Sequence, residues 1–350
     1  MAQRIALVTG ATGGLGRHVV AKLAAGGYAV RATGRNRQIG NVLATSPAVT
    51  FVAGDLESPA LVRELVDGAD VVFHCAALSA PWGPRTRFHT ANVVVTQTLV
   101  DAARAAGSQR MVHVSTPSLT FRFRDQLAIR EDDPLPPRFV NHYAATKAQA
   151  EAVVRAAARD TFAVTIVRPR GIFGEFDTVL IPRLLEVARG GTMPVFDNGD
   201  ALVDVTYAGN VADAKLLCDR PGAPSGTFNI TNGEPLTVRD LLVRAFRVLG
   251  RDVTLRPASY GIASAIAGSW ELAARALRVE REPRLLRYSL GLMRYSQTLD
   301  ISAARGQLGY APHVSIDEGL QRFSRWLENG RPDWFTGNGT QTWEHRHAGA

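Results

Sequence analysis

The stretch Ile5-Ala-Leu-Val-Thr-Gly-Ala-Thr-Gly-Gly-Leu-Gly16 decides the fold. Its first four residues are apolar, and a glycine-rich turn follows them almost at once. From Arg17 to Ala25 the apolar spacing becomes helical. A strand that turns through glycines into a helix is the context that gives such a turn meaning. Glycines allow a tight bend and let the backbone approach a pyrophosphate. The pyrophosphate then sits on the helix N-terminus, where free N–H groups and the dipole favour negative charge. The glycines fall at 10, 13 and 16, a Gly-x-x-Gly-x-x-Gly spacing rather than Gly-x-Gly-x-x-Gly. A turn that needs glycine only for its own geometry is the bland alternative, and the flanking strand and helix weigh against it.

The first half of the chain keeps this rhythm. Apolar runs at 29–32, 50–53, 71–74, 111–114 and 164–167 read as short buried strands, and helical patterns lie at 59–66, 90–106 and 144–159. Nearly continuous apolar strands alternating with helices mean a parallel sheet covered on both faces. Right-handed crossovers then give an α/β fold, a doubly wound parallel sheet of Rossmann type. After about residue 175 helical segments dominate (179–189, 238–249, 262–277, 316–328), broken by strand-like pieces at 203–206 and 227–230. The expected organisation is a dinucleotide-binding domain over 1–175 and a smaller, mostly helical substrate domain over 176–335, with segments returning to the sheet. A polar tail over 336–350 follows.

Composition narrows the class. Of 350 residues 46% are hydrophobic and 21% charged, a globular balance that excludes collagen-like, low-complexity and disordered chains. The net charge of +8 comes from 37 Arg and three Lys against 32 acids, with the arginines scattered, so nucleic acid is not an expected partner. An anionic small molecule or a membrane surface fits the excess. Cys75 and Cys218 cannot form a multi-disulfide framework, and neither belongs to a Cys-x-x-Cys pair. Met1 to Arg4 leads straight into the first strand with no targeting segment, so a cytoplasmic location is expected. The uncharged stretch over 257–270 has 14 residues, whereas a membrane span needs about 20.

Three further sites carry chemistry. An NAD enzyme commonly places an acid about 20 residues after the glycines to hold ribose hydroxyls. Gly34 stands there, followed by Arg35 and Arg37. Guanidinium groups bind a 2′-phosphate that a carboxylate would repel, so NADP(H) is preferred while NAD(H) remains allowed. A solvated loop in an Arg-rich chain is the alternative. Tyr143-Ala-Ala-Thr-Lys147 opens a helix, and a spacing of four puts both side chains on one face. Seven Tyr and three Lys would make such a pair by chance about 0.06 times. The ammonium is expected to pull the phenol below its usual pKa of ~10, making it a proton donor or acceptor at a carbonyl or hydroxyl. Val112-His-Val-Ser-Thr-Pro-Ser118 ends a strand in three hydroxyls at the carboxyl edge of the sheet, where ligands bind. One of them can donate to a developing oxyanion, although capping alone also explains such residues.

Together these sites resemble the extended short-chain dehydrogenase/reductase family, over nearly the whole chain to about residue 330. Gly54-Asp-Leu56, His74-Cys-Ala-Ala77, Asn92-Val-Val-Val-Thr96, Arg168-Pro-Arg-Gly-Ile-Phe-Gly174, Asp204-Val-Thr-Tyr-Ala-Gly-Asn-Val211 and Leu308-Gly-Tyr-Ala-Pro312 extend the match. Ser115-Thr-Pro-Ser118, Tyr143-Ala-Ala-Thr-Lys147, Arg168-Pro-Arg170 and Asn232-Gly-Glu-Pro-Leu236 are most similar to the 3β-hydroxysteroid dehydrogenase-like branch. Within that branch the similarity is to bacterial 2-alkyl-3-oxoalkanoate reductases. The resemblance implies that Gly10, Gly13 and Gly16, with Thr12, Gly14 and Leu15, cradle the pyrophosphate. It places Asp55 and Leu56 beside the adenine, and Ala76, Ala77, Pro169 and Ile172 along the cofactor. Lys147 would bond the nicotinamide ribose, and Tyr143 would pass the proton. The position that holds the substrate oxygen falls best on Thr116, with Ser115 and Ser118 close by. Ser118, Phe173 and Arg183 are expected to touch substrate; a homodimer is implied, and a metal is not. Val95 stands where the family has glycine in Asn-Val-x-Gly-Thr, which is expected to tighten packing.

The expected activity is hydride transfer between NADP(H) and a carbonyl or secondary alcohol of a hydrophobic molecule, of the 3-oxo acid or 3-ketosteroid type. A sugar-nucleotide epimerase or dehydratase shares the scaffold and needs groups for a second diphosphate, which Arg183, Arg189 and Arg256 can supply. A non-catalytic NADP(H)-sensing protein is a third reading, and the presence of both Tyr143 and Lys147 stands against it. The segment over 260–277 is apolar nearly all round as a helix. It is therefore expected to be buried in the core, to cap an apolar cavity, or to lie on a membrane or partner.

Overall fold

The computed structural model describes residues 3–330, so the expected polar tail over 336–350 lies outside the described residues. β1 (Ile5–Thr9) and α1 (Gly14–Ala25) lead to β2 (Ala29–Gly34), α2 (Arg37–Leu43), β3 (Val49–Ala53), α3 (Pro59–Val66) and β4 (Val71–His74). Next, α4 (Arg85–His89) runs through a π-helical turn at Thr90–Val94 into α5 (Val95–Ala105). β5 (Arg110–Val114), β6 (Gln126–Ile129), α6 (His142–Ala156), β7 (Ala163–Pro169) and β8 (Ile172–Phe173) follow. Then come α7 (Leu180–Val187), β9 (Thr192–Val195), β10 (Leu202–Val203), β11 (Thr206–Tyr207), α8 (Ala208–Leu217) and β12 (Gly226–Ile230). The last elements are β13 (Leu236–Thr237), α9 (Val238–Val248), β14 (Thr254–Pro257), α10 (Tyr260–Ala276), α11 (Arg287–Arg294), β15 (Gln297–Leu299) and α12 (Ile316–Gly330).

Seven parallel strands form the main sheet in the order β12-β7-β5-β4-β1-β2-β3. Both faces are covered, which is why the strands are almost wholly apolar. Along β1, Ala6 and Val8 pack with Val19, Leu23 and Val211 on one side, while Leu7 packs with Leu65, Val95 and Leu99 on the other. Each such side chain stabilises the fold by about 1.5–3 kcal/mol. A slip of one residue would exchange the two faces of a strand, so the register is strongly specified. The chain beyond 175 completes this layer. β12 pairs with β7 from Gly226↔Thr165 to Ile230↔Pro169, and α8 lies against α1. The strand order reverses between β4 and β1. That switch point, at the carboxyl ends of the strands, is where such sheets bind ligands.

A smaller four-stranded sheet in the order β13-β10-β15-β6 joins four distant parts of the chain. Its strands are two to four residues long, too short to show a period in the sequence. The reading of 260–277 as buried core is corrected. In α10 only Ala267 and Ala274 are buried, whereas Ile262, Ile266, Trp270 and Leu272 stand exposed. Small residues supply the inner face, where Ala267 meets Phe196 and Leu290. Among the described residues no helix is long and apolar enough to cross a membrane.

Candidate active site

At the switch point backbone meets backbone. Gly10 has φ +64°, and a Cβ there would lie 2.7 Å from the Ala76 amide nitrogen. A Cβ at Gly16 would lie 2.1 Å from the Gly10 carbonyl oxygen, and one at Gly14 would lie 2.9 Å from that of Phe176. The Gly13 amide donates to the Gly10 carbonyl at 3.0 Å, and Gly13 itself caps α1 without a side chain. The first-turn amides of α1 are thus left for an external acceptor. This cradle fits a dinucleotide pyrophosphate.

The end of β2 explains the missing acid. A Cβ at Gly34 would lie 2.5 Å from Thr12 Oγ1, so the threonine fills the place a larger side chain would take. Arg35 is half exposed, with Nη1 4.0 Å from Asp55 Oδ2. Arg37 is the first residue of α2, which Asn36 caps by accepting from the Ile39 amide at 3.0 Å. Leu56 is buried beside the exposed Asp55, while Ala76 is half-buried and Ala77 exposed on the loop after β4. Pro169 ends β7 in the interior and Ile172 is half-buried in β8.

A chain of hydroxyls runs from the first turn of α6. The Tyr143 phenol stands beside Ser79 and Thr116. Thr116 Oγ1 donates to Ser118 Oγ at 2.9 Å, and Ser118 Oγ lies 2.7 Å from Tyr288 Oη. Ser115 lies toward Glu151 with its Oγ buried and without a hydrogen-bond partner, so Thr116 is the strand-end hydroxyl on the Tyr143 side. Burial pushes the phenol of Tyr143 above its ordinary value, and the hydroxyls of Ser79 and Thr116 only partly offset this. The expected lowering by Lys147 is corrected. Lys147 Nζ donates to the Val114 carbonyl at 2.6 Å and lies 3.0 Å from His113 Nε2, so its charge is spent inside the fold. Desolvation lowers Lys147 to about 7, with Glu151 and Cys75 opposing and Lys215 adding to it.

A buried polar layer supports these groups. His74 bridges Thr9 Oγ1 at 2.7 Å and Thr96 Oγ1 at 3.0 Å, tying β1, β4 and α5 together. Burial first, then Lys147 and Lys215, hold His74 at about 3, so it is neutral. Lys215 Nζ donates to Cys75 Sγ at 2.7 Å. Asn92 accepts from the Leu78 amide at 2.7 Å and donates to Thr146 Oγ1 at 3.1 Å, clamping the loop that carries Ser79 onto α6. Beneath the site Arg168 grips Glu151 with two bonds of 2.8 Å. Burial alone would raise the Glu151 carboxyl, but the bonds and charge of Arg168 outweigh it and hold it low.

One substrate assignment changes. Phe173 is turned into the core with Val205, Tyr207 and Val314, its ring centroid 6.1 Å from that of Tyr207, so it does not line the site. Arg183 bonds Glu282 at 2.9 and 3.1 Å while its charge acts on Tyr288. Ser79 and Tyr288 were not signalled by the sequence. Ser79 lies on an irregular loop and Tyr288 sits 145 positions beyond Tyr143, so no local pattern connects them.

Residues 6–231 match the family model described as NAD dependent epimerase/dehydratase family. Over 323 residues the chain is 36% identical to 2-alkyl-3-oxoalkanoate reductase of Stenotrophomonas maltophilia (strain K279a), covering 90% of this chain and 97% of that one. It is 30% identical over 325 residues to the decarboxylating sterol-4-alpha-carboxylate 3-dehydrogenase of Homo sapiens, covering 90% and 86%. Among solved structures, the dTDP-glucose 4,6-dehydratase DesIV from Streptomyces venezuelae, determined with NAD bound, superposes with a TM-score of 0.72. It is 27% identical and covers 93% of this chain and 98% of its own. The chain therefore belongs to the NAD dependent epimerase/dehydratase family, the extended short-chain dehydrogenases/reductases, and is an NAD(P)-dependent dehydrogenase/reductase resembling its 3β-hydroxysteroid dehydrogenase-like members.

Proposed function

We propose that the protein is an NADP(H)-dependent reductase of a ketone carried on a hydrophobic molecule, of the 3-oxo acid or 3-ketosteroid type. The observation that carries this reading is the buried phenol of Tyr143 beside the Thr116 hydroxyl at the carboxyl edge of the sheet. When bound, the nicotinamide supplies the hydride. Thr116 holds the substrate oxygen by turning its hydroxyl proton from Ser118 to it, and Tyr143 delivers the proton as negative charge develops there. A phenol raised above its ordinary value stays protonated across neutral pH, the form that reduction needs. Oxidation of an alcohol needs the phenolate, so that direction accelerates as pH rises. The names of the two relatives, one a 3-oxo acid reductase and the other a sterol dehydrogenase, support the substrate type.

A sugar-nucleotide epimerase or dehydratase is the second reading, favoured by the likeness to DesIV. Less supports it within the chain. Arg183 is engaged by Glu282, and Arg189 and Arg256 stand exposed. Following NADPH absorbance with a 2-alkyl-3-oxo acid, a 3-ketosteroid and a sugar nucleotide separates the readings. Oxidation of NADPH with either apolar ketone is expected. Conversion of the sugar nucleotide at constant NADPH would replace the reductase reading, and silence on all three would favour a sensing role.

The preference for NADP(H) rests on Arg35 and Arg37 just after β2, with Gly34 where an acid would otherwise stand. Arg35→Ala is expected to weaken NADPH about tenfold more than NADH, the worth of one charge-assisted bond to a phosphate. Equal losses for the two coenzymes, measured by titration, would remove the basis for the preference.

A further inference from the structure

Six of the fourteen large apolar side chains that stand exposed among the described residues fall within 262–279. Scattered singly, such side chains need no explanation; gathered on one element, they mark a contact surface. Along α10 the exposed Ile262, Ile266, Trp270, Ala273 and Leu277 recur every three or four residues, so they share one face of the helix. The exposed residues between them on that side, Ser269 and Leu272 among them, carry no charge. The opposite side is firmly seated. Ala267 meets Phe196 and Leu290, the Tyr260 ring stands edge-on 5.4 Å from that of Phe196, and Glu271 accepts from the Arg287 amide at 2.8 Å.

Charge decides what fits this face. Over 256–287 the chain carries six arginines and three acids, and two of those acids, Glu271 and Glu282, are engaged by Arg275 and Arg183. The arginines rim the apolar face. Arg256 stands before its N-terminal end, and Arg275, Arg278 and Arg281 are exposed at its C-terminal end. Arg287 runs along one side, where a Cβ at Gly268 would lie 3.5 Å from its Cδ. A second copy of the chain fits poorly, because a two-fold interface sets the same patch against itself, arginine facing arginine. An anionic bilayer matches both parts. Apolar side chains enter where headgroups meet acyl chains, the level that Trp favours, and lipid phosphates meet the guanidinium groups. With 17 residues and its inner side packed on the protein, α10 lies along such a surface and does not cross it.

We propose that α10 is a membrane-docking helix, which lies in the surface of an anionic phospholipid bilayer with Ile262, Ile266, Trp270 and Leu277 toward the acyl chains and the rim arginines on the phosphates. The docked helix adjoins two segments that frame the hydroxyl chain. Trp82 Nε1 donates to the Val279 carbonyl at 3.1 Å, which ties the loop carrying Ser79 to the end of α10, and α11, which carries Tyr288, packs on α10. Docking is independent of the reductase reading.

Co-sedimentation of the NADP-loaded protein with lipid vesicles tests it. Vesicles of equal parts phosphatidylglycerol and phosphatidylcholine are expected to bind about 10–100-fold more tightly than vesicles of phosphatidylcholine alone. Ile262→Gln combined with Ile266→Gln is expected to lower binding to the anionic vesicles about tenfold or more. Leu272→Gln combined with Leu277→Gln does the same and serves if the first pair does not fold. Arg278→Gln combined with Arg281→Gln is expected to remove most of the preference for the anionic vesicles. Lipid brominated on its acyl chains is expected to quench the tryptophan emission of the parent, and to quench that of Trp270→Phe much less. No binding to anionic vesicles, binding unaltered in a folded apolar-face variant, or quenching unaltered by Trp270→Phe overturns the docking. A dimer that the isoleucine pair dissociates, with no vesicle binding, overturns it in favour of a second copy of the chain.

Discussion

Tyr143→Phe is expected to cut NADPH-dependent ketone reduction by about 10²–10⁴-fold, the usual worth of a positioned proton donor, while NADPH still binds. The reason is geometric. The phenol hydroxyl stands beside Thr116 and Ser79, whereas the glycine turn expected to hold the pyrophosphate runs through Gly10, Gly13 and Gly16. The ring itself is retained, so its packing survives. The pH dependence carries a sign. Reduction draws on the protonated phenol, so its rate falls only as pH climbs through the raised value for Tyr143, and the reverse reaction gains over the same interval. Stopped-flow absorbance with cofactor titration by fluorescence checks both parts. A variant that keeps full turnover would sink the assignment of Tyr143 as proton donor.

The second large effect is on stability. Glu151 and Arg168 are 1% and 2% exposed and share two bonds of 2.8 Å. Glu151→Leu leaves the guanidinium buried and unpaired, for which a loss of about 3–5 kcal/mol is expected in denaturant unfolding. Arg155, the other partner of Glu151, has 45% of its side chain exposed and can turn to water. The double variant Glu151→Leu with Arg168→Met is expected to recover most of the loss, because an apolar pair of similar volume needs no charge solvated. The sign with pH is fixed by the lowered carboxyl of Glu151. Its contribution is full above the unfolded value of ~4.3 and fades as pH falls through the lower folded one. The gap between single variant and parent therefore narrows in acid. A loss under about 1 kcal/mol would put this pair among solvated surface ion pairs.

Legibility differed sharply between parts of the molecule. The inner strands β1, β4, β5 and β7 were readable because each is mostly apolar and buried on both faces between turns. The Gly10–Gly16 turn was readable because a Cβ at Gly10 or Gly16 has no room. Tyr143 and Lys147 stood out by rarity and spacing. The state of that pair was not readable. The sequence places an ammonium one helical turn from a phenol, but the fold turns Lys147 to Val114 and His113 and leaves the phenol to burial. Likewise, Phe173, placed in the site by the resemblance, is turned into the core, and of the three readings of 260–277 the structure removes the buried core. A small side chain such as Ala267 can seat a helix, and the bulky Ile262 and Trp270 then face outward.

From the sequence alone came the parallel sheet, the phosphate-binding turn, the absence of an acid after β2, and the Tyr–Lys pair. The turn and the Tyr–Lys pair lie within one element or one turn, and the sheet follows from the alternation of apolar runs and helical patterns along the first half of the chain. Only the tertiary structure decided that Thr116 rather than Ser115 stands beside Tyr143, and that Tyr288 extends the hydroxyl chain. Those contacts join residues more than a hundred positions apart, or choose between neighbours by strand direction. Hydrogen bonds of 2.7–2.9 Å demand placement that no local pattern encodes, and here α11 brings Tyr288 to the turn after β5.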